Sequence, residues 1–210
     1  MRDDNLDGRL LRAQNEYKSI HLKLINSAIE LINDKQIDTK SINITLIAKN
    51  ADCAVATGYN HFPNGMLDVY GSLIETVNEG IQHEIEVMIK NSVSTEEIIT
   101  NLVRKTSENV IKYGEASRVS LFAIKDIVDI GSAKLGDPFL TLKFLCQELK
   151  SKYTNIDSDL FATQLYTQYL GLLFSWMRFQ EDSIVFSIFT DQWLLDRSSE
   201  LLEFNLNTLN

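Results

Sequence analysis

Three histidines, two cysteines and 29 carboxylates are the side chains from which this 210-residue chain could build nucleophilic, metal or acid–base chemistry. Their spacing does not favour it. His83-Glu84, with Glu79 and Glu86, puts an i, i+4 pair on one helix face, but no second His completes a His-Glu-x-x-His site, so a solvated face is expected. Cys53 and Cys146 lie far apart in no metal-ligand spacing, which leaves neither a disulfide scaffold nor a zinc ribbon. Cys53 reads as core filler, and Cys146 has apolar neighbours in Phe144 and Leu145; no His or Lys stands near either to activate a thiolate. A Gly-rich phosphate loop, a Gly-x-Ser-x-Gly elbow and a carboxylate pair with a structural context are all missing from the pattern. The expectation is a protein that is not an enzyme and that uses no metal or cofactor.

The informative run is Ile47 to Pro63. Apolar or small residues at Ile44, Ile47, Ala48, Ala51, Cys53, Ala56 and Phe62 fall where two short helices crossing steeply would touch. Ala48 and Ala56 are expected at the closest approach, with Asp52 in a left-handed turn that Asp tolerates and Gly adopts more easily. Such a helix-turn-helix sends its second helix into a DNA major groove, and Asn60 is the one side chain of that helix suited to a bidentate base contact.

The elements around this run read as helices. Ile20, Leu24, Ala28, Leu31 and Ile32 keep helical spacing over roughly five to six turns, and Asp34 to Ser41 ends the pattern. Asn43 is placed to cap Ile44 to Asn50, and a second short helix runs over Ala54 to Phe62. Pro63-Asn64-Gly65 punctuates the chain before one long helix carrying Leu67, Tyr70, Ile74, Val77, Ile81, Ile85 and Met88. Ser94 and Glu97 form a capping-type start for Thr95 to Tyr113. Gly114, Gly131 and Gly136-Asp137-Pro138 mark further ends. Pro138 opens a helix to Lys152, Asp157-Ser158-Asp159 caps another to Phe179, and Ser183 to about Leu206 makes the last. No alternating strand pattern occurs, so the fold class is all-α with about nine helices.

Composition agrees with a compact helical protein: 44% hydrophobic, 23% charged, nine glycines and two prolines. The N-terminal residues hold no apolar signal core, and Leu160 to Trp193 is too interrupted by polar and charged residues to span a membrane, so a cytoplasmic location is expected. Net charge is −9. Residues 1–70 carry 8 basic and 9 acidic side chains and residues 71–210 carry 12 and 20, so the acid lies mainly downstream. That leaves a near-neutral head to meet phosphate, which alone is a weak electrostatic case for nucleic acid.

Ile47-Ala48, Asp52, Ala54-Val55-Ala56-Thr57, Tyr59 and His61-Phe62-Pro63, in that order and spacing, closely resemble the TetR family of bacterial transcriptional regulators over about residues 15–80. The resemblance implies a three-helix DNA-binding head at residues 1–65 with a flexible N-terminal arm, and a helical ligand-binding and dimerisation domain at residues 66–210. It implies that Asn60 and Val55 face base edges while Lys49, Thr57, Tyr59 and His61 meet phosphates, with Ala54 at the cap of the recognition helix. Where the family often has Gly in the turn, Ser or Thr at the cap and Lys opening the next helix, this chain has Asp52, Ala54 and Gly65. Gly58 within the recognition helix costs about 1 kcal/mol of propensity against Ala. Modest DNA affinity, or reliance on Arg2, Arg9 and Arg12 in the arm, follows.

The second part is expected to do two things. Phe122, Phe144, Tyr166, Tyr169 and Phe174, among the aromatics of successive helices, are candidates to line an apolar effector site of the kind TetR-like proteins use. Phe161, Leu165, Leu172 and Trp176, followed by Ile188, Leu195 and Leu202, form stripes suited to a four-helix homodimer interface. The functional expectation is a ligand-responsive, sequence-specific regulator, a repressor by preference, acting as a homodimer on a palindromic operator in double-stranded DNA, with a small apolar effector and no membrane partner. The alternative is a helical ligand-binding or protein-interaction module whose head has lost useful DNA affinity.

Overall fold

The computed structural model describes residues 4–123, 126–127, 138–179 and 188–207. Among them are ten α-helices and no strand, an all-α fold: α1 Asp4–Asn33, α2 Ile44–Asn50, α3 Val55–His61, α4 Met66–Asn78, α5 Ile81–Lys90, α6 Thr95–Tyr113, α7 Glu115–Phe122, α8 Pro138–Glu148, α9 Ser158–Phe179 and α10 Asp191–Asn207. Single-turn 3-10 helices occupy Thr39–Ser41 and Leu149–Ser151.

Expected caps are in place. Asn43 Oδ1 accepts from Leu46 N–H at 3.0 Å, Ser94 Oγ from Glu97 N–H at 3.3 Å, and Asp157 Oδ1 from Leu160 N–H at 3.2 Å. Three boundaries differ from the sequence reading. The single helix expected over residues 67–88 is two, because Gly80 takes φ 81° and ends the run between α4 and α5. α1 starts at Asp4, so Arg9 and Arg12 ride on a helix rather than on a flexible arm. α10 starts at Asp191, where Thr190 Oγ1 accepts from Trp193 N–H at 3.1 Å, and Ile188 precedes it in a turn. Arg2, Gly131, Gly136, Asp137 and the expected helical stretch from Ser183 to residue 187 lie outside the described residues.

The chain divides into two compact units, Met1–Glu75 with Gly114–Lys134, and Thr76–Tyr113 with Leu135–Asn210. The break between these compact units falls within α4, beyond the domain division expected at residue 65, and the first unit includes the segment that holds α7. The cause is local: Ala116 is buried in the head's core, and its N–H donates to Asn33 Oδ1 at 3.3 Å.

In the first unit the inward stripe of α1 (Leu24, Ile25, Ala28, Leu31, Ile32) packs on Ile44, Ile47 and Ala48 of α2, with Phe62, Val69 and Leu73 closing the core. Ser27 Oγ donates to Ile47 O at 2.9 Å and accepts from Asn50 Nδ2 at 3.1 Å, so a buried hydroxyl ties α1 to α2. Gly8 through Ser19 of α1 is exposed.

In the second unit α6 packs on α10, α8 on α9, α9 on α10, and α5 on α6. Its core includes a satisfied polar cluster, with Ser107 Oγ 3.1 Å from Tyr169 Oη and 2.8 Å from Ser198 Oγ. Burial of Tyr169 raises its phenol well above the usual range. Cys146 is fully buried, and its thiol is pushed up to about 12 by desolvation, which makes it inert filler.

Candidate nucleic-acid interface

α2 is closed by a two-bond C-terminal cap. Cys53 N–H donates to Ala48 O at 2.8 Å and Asp52 N–H to Lys49 O at 3.1 Å, with Asp52 at φ 50°. That is the Schellman arrangement, with Asp where Gly is usual. The turn delivers the chain to Ala54, which is extended (φ −63°, ψ 141°) and offers no side-chain cap to α3.

Gly58 sets how α3 sits on α2. A Cβ built there would lie 2.9 Å from Ile44 Cγ2 and 3.2 Å from Ala48 Cβ, so only glycine permits this approach. Ala56, expected at the helix contact, is instead exposed. Seating Gly58 inward fixes the rest of α3 by the 100° step of the helix. Ala56, Tyr59 (49% exposed) and Asn60 point outward, with Val55 and Thr57 half-buried at the flanks. Ala54 and Lys49 are also exposed. Ala56 is the outward residue that sequence reasoning assigned to the wrong face; its small side chain fits either face, and the deciding partner was Gly58.

His61 does not join this outward set. It is buried, stacked on Tyr17 of α1 with ring centroids 4.0 Å apart, and flanked by His21 at 5.6 Å, so its expected phosphate contact is corrected to a packing role. Burial lowers its affinity for a proton, and the neighbouring His21 lowers it further. The outward face of α3 carries no charged side chain. Lys49 at the end of α2 and Arg9 and Arg12 on α1 are exposed cations of the unit, and Asp52 opposes them in the turn. Among the described residues no group of three or more His, Cys, Asp or Glu converges as a metal site, and no helix is long and apolar enough to cross a membrane.

No family model, curated protein or solved structure matches this chain.

The residues expected to bind an effector are divided between the two units. Phe122 belongs to the first unit and is exposed; Phe144 and Phe174 are exposed on α8 and α9 of the second. Tyr166 is half-buried with its ring 5.2 Å from Phe139, and Tyr169 is committed to Ser107. None of the five lines either of two grooves in the second unit, one of about 490 Å³ between α9 and α10 and one of about 330 Å³ beside Glu96, Tyr153 and Leu202.

The expected dimer stripe also divides. Phe161, Leu165, Trp176 and Leu202 are buried in the core of a single chain, and Trp176 Nε1–H donates to Asp191 Oδ1 at 2.9 Å. Leu172 and Leu195 are half-buried and Ile188 is exposed in its turn. On α9 and α10 the large apolar residues left exposed are Leu160, Leu170, Phe174 and Phe204. Gly171, Leu172, Trp193, Leu201 and Phe204 line the groove beside it.

Proposed function

We propose that the chain is a sequence-specific DNA-binding transcriptional regulator of the TetR kind, without enzymatic activity, which acts in the cytoplasm as a homodimer on a palindromic operator. The observation that carries this reading is the seating of Gly58 against Ile44 and Ala48, which turns Ala56, Tyr59 and Asn60 together to the outside of a helix-turn-helix. Asn60 then pairs with an adenine edge, Val55 and Ala56 rest against thymine methyls, and Tyr59, Thr57 and Lys49 meet phosphates. Arg9 and Arg12 on α1 supply further phosphate contacts. Repression is the favoured mode, and an effector of small, apolar character held in the second unit biases the DNA-competent state.

Dimerisation rests on the exposed apolar residues of α9 and α10, which suit a second copy better than solvent. The outward face of α3 has no cation, and that observation keeps a second reading in view: a helical interaction module without useful DNA affinity.

Selection of bound duplexes from a random library tests the proposal. A palindromic preference is expected, and Asn60→Ala should flatten it at one position in each half-site. Lys49→Ala should weaken all sequences alike and reduce the salt slope by about 1. Retention of no sequence preference at low salt would reject the regulator in favour of the interaction module.

A further inference from the structure

Where α1 leaves the core and becomes exposed, it meets the last residue of α3 through an aromatic cluster with an unusual polar content. Tyr17 and His21, one turn apart on α1, face His61; the Tyr17 and His61 rings stack at 4.0 Å with a 27° tilt, and His21 lies 5.6 Å from His61 and 5.1 Å from Phe62. The Nδ1 atoms of both histidines are buried and neither has a protein hydrogen-bond partner. Such a cluster accommodates two neutral imidazoles. Two imidazolium ions at this separation would repel each other, and each would carry an Nδ1 proton that is buried with no protein acceptor.

We propose that Tyr17, His21 and His61 form a proton-sensitive clamp that holds the C-terminal end of α3 on α1 when both imidazoles are neutral and releases it when they are protonated. Titratable and charged groups come from three elements, α4 placing the half-buried phenol of Tyr70 against the core that contains Phe62. α1 contributes Tyr17 and His21, with Lys18 exposed beside Tyr17, and α3 contributes His61. Burial lowers the proton affinity of both rings, His21 adds its charge against that of His61, and no carboxylate contributes to either ring. Protons therefore prefer the released, solvated histidines, and the clamp weakens as pH falls below the ordinary histidine value of about 6.5.

Release has a defined reach. α3 is seven residues long with Gly58 and His61 as its buried residues, and Phe62 is fully buried just beyond it, so freeing His61 removes one of three neighbouring anchors and leaves the outward face seated through Gly58 and Phe62. The clamp is a property of the first unit alone and does not depend on what α3 binds.

The experiment is NMR on the intact chain, following the histidine ring resonances with pH and, at pH 7 and pH 5, the exchange of the α3 amides relative to those of α6. His83→Gln assigns the third histidine. Both clamp rings should titrate below the ordinary value, and α3 protection should fall between pH 7 and 5, about tenfold for each unit by which a ring is held down. His21→Phe with His61→Phe should keep α3 protected at both pH values. Rings that titrate at or above the ordinary value, α3 protection unchanged with pH, or an equal loss in the double variant would each overturn the clamp. Should the double variant not fold, the wild-type titration and exchange decide the question by themselves.

Discussion

Gly58 and Asp52 break local preference in opposite ways, and only one of them could be understood without the fold. Asp52 was legible: a turn between two short helices calls for a left-handed residue, and its φ of 50° with the two-bond cap is the outcome. Its side chain is exposed, so Asp52→Gly should relieve backbone strain with little lost, raising stability by up to about 1 kcal/mol in urea unfolding. Gly58 reads in sequence only as a helix-weakening residue. Its use emerges from Ile44, fourteen positions upstream and one helix away, whose methyl occupies the space a Cβ would need. Gly58→Ala gains about 1 kcal/mol of helix propensity and incurs an overpacking cost of about 1 to 3 kcal/mol, so a net loss of about 1 kcal/mol is expected. Ile44→Leu, which removes the β-branch methyl, should make the pair less than additive in a double-mutant cycle. Additive losses would mean that the Gly58 effect has another source.

Helix existence was legible wherever apolar spacing ran for several turns, and helix ends were legible wherever a side chain caps the backbone. α2, α6 and α9 start where Asn43, Ser94 and Asp157 said they would. Gly80 was missed because the apolar spacing carries on across it, whereas one left-handed residue is enough to end α4. The exposed half of α1 was missed because it has no buried stripe to announce it. The N-caps of α2 and α3, Asn43 and Ala54, offer a matched test. Asn43→Ala should cost the head about 1 kcal/mol, while Ala54→Ser, at an extended N-cap that lacks a side-chain bond, should add a similar amount. Thermal unfolding followed at α3 should move in opposite directions for the two variants. Gly65 stands apart: at φ 68° a lysine introduced there to reach phosphate would carry backbone strain, so weaker DNA binding by Gly65→Lys would say nothing about charge.

At the scale of the whole molecule the uncertain quantity in the sequence was which side of α9 faces inward. The helix is apolar on more than one side, and periodicity identifies stripes without saying which is covered. Packing against α8 and α10 takes Phe161, Leu165 and Trp176 into the core and leaves Leu170, Gly171 and Phe174 outside, about a quarter-turn or more from the expected stripe. Both sets remain informative because they make different predictions. Trp176 is 2% exposed with its indole N–H bonded to Asp191, so Trp176→Ala should destabilise the second unit by about 3 to 5 kcal/mol whatever the oligomeric state. Phe174 and Phe204 are 50% and 63% exposed, so Phe174→Glu with Phe204→Glu should leave helicity intact and act on association alone. Light scattering of the native chain should return twice its 23.9 kDa and the double variant 23.9 kDa, with circular dichroism unchanged between them. A native mass of 23.9 kDa across micromolar dilutions rejects the dimer, and with it the symmetric reading of a palindrome; a double variant that stays dimeric instead moves the interface away from this face of α9 and α10.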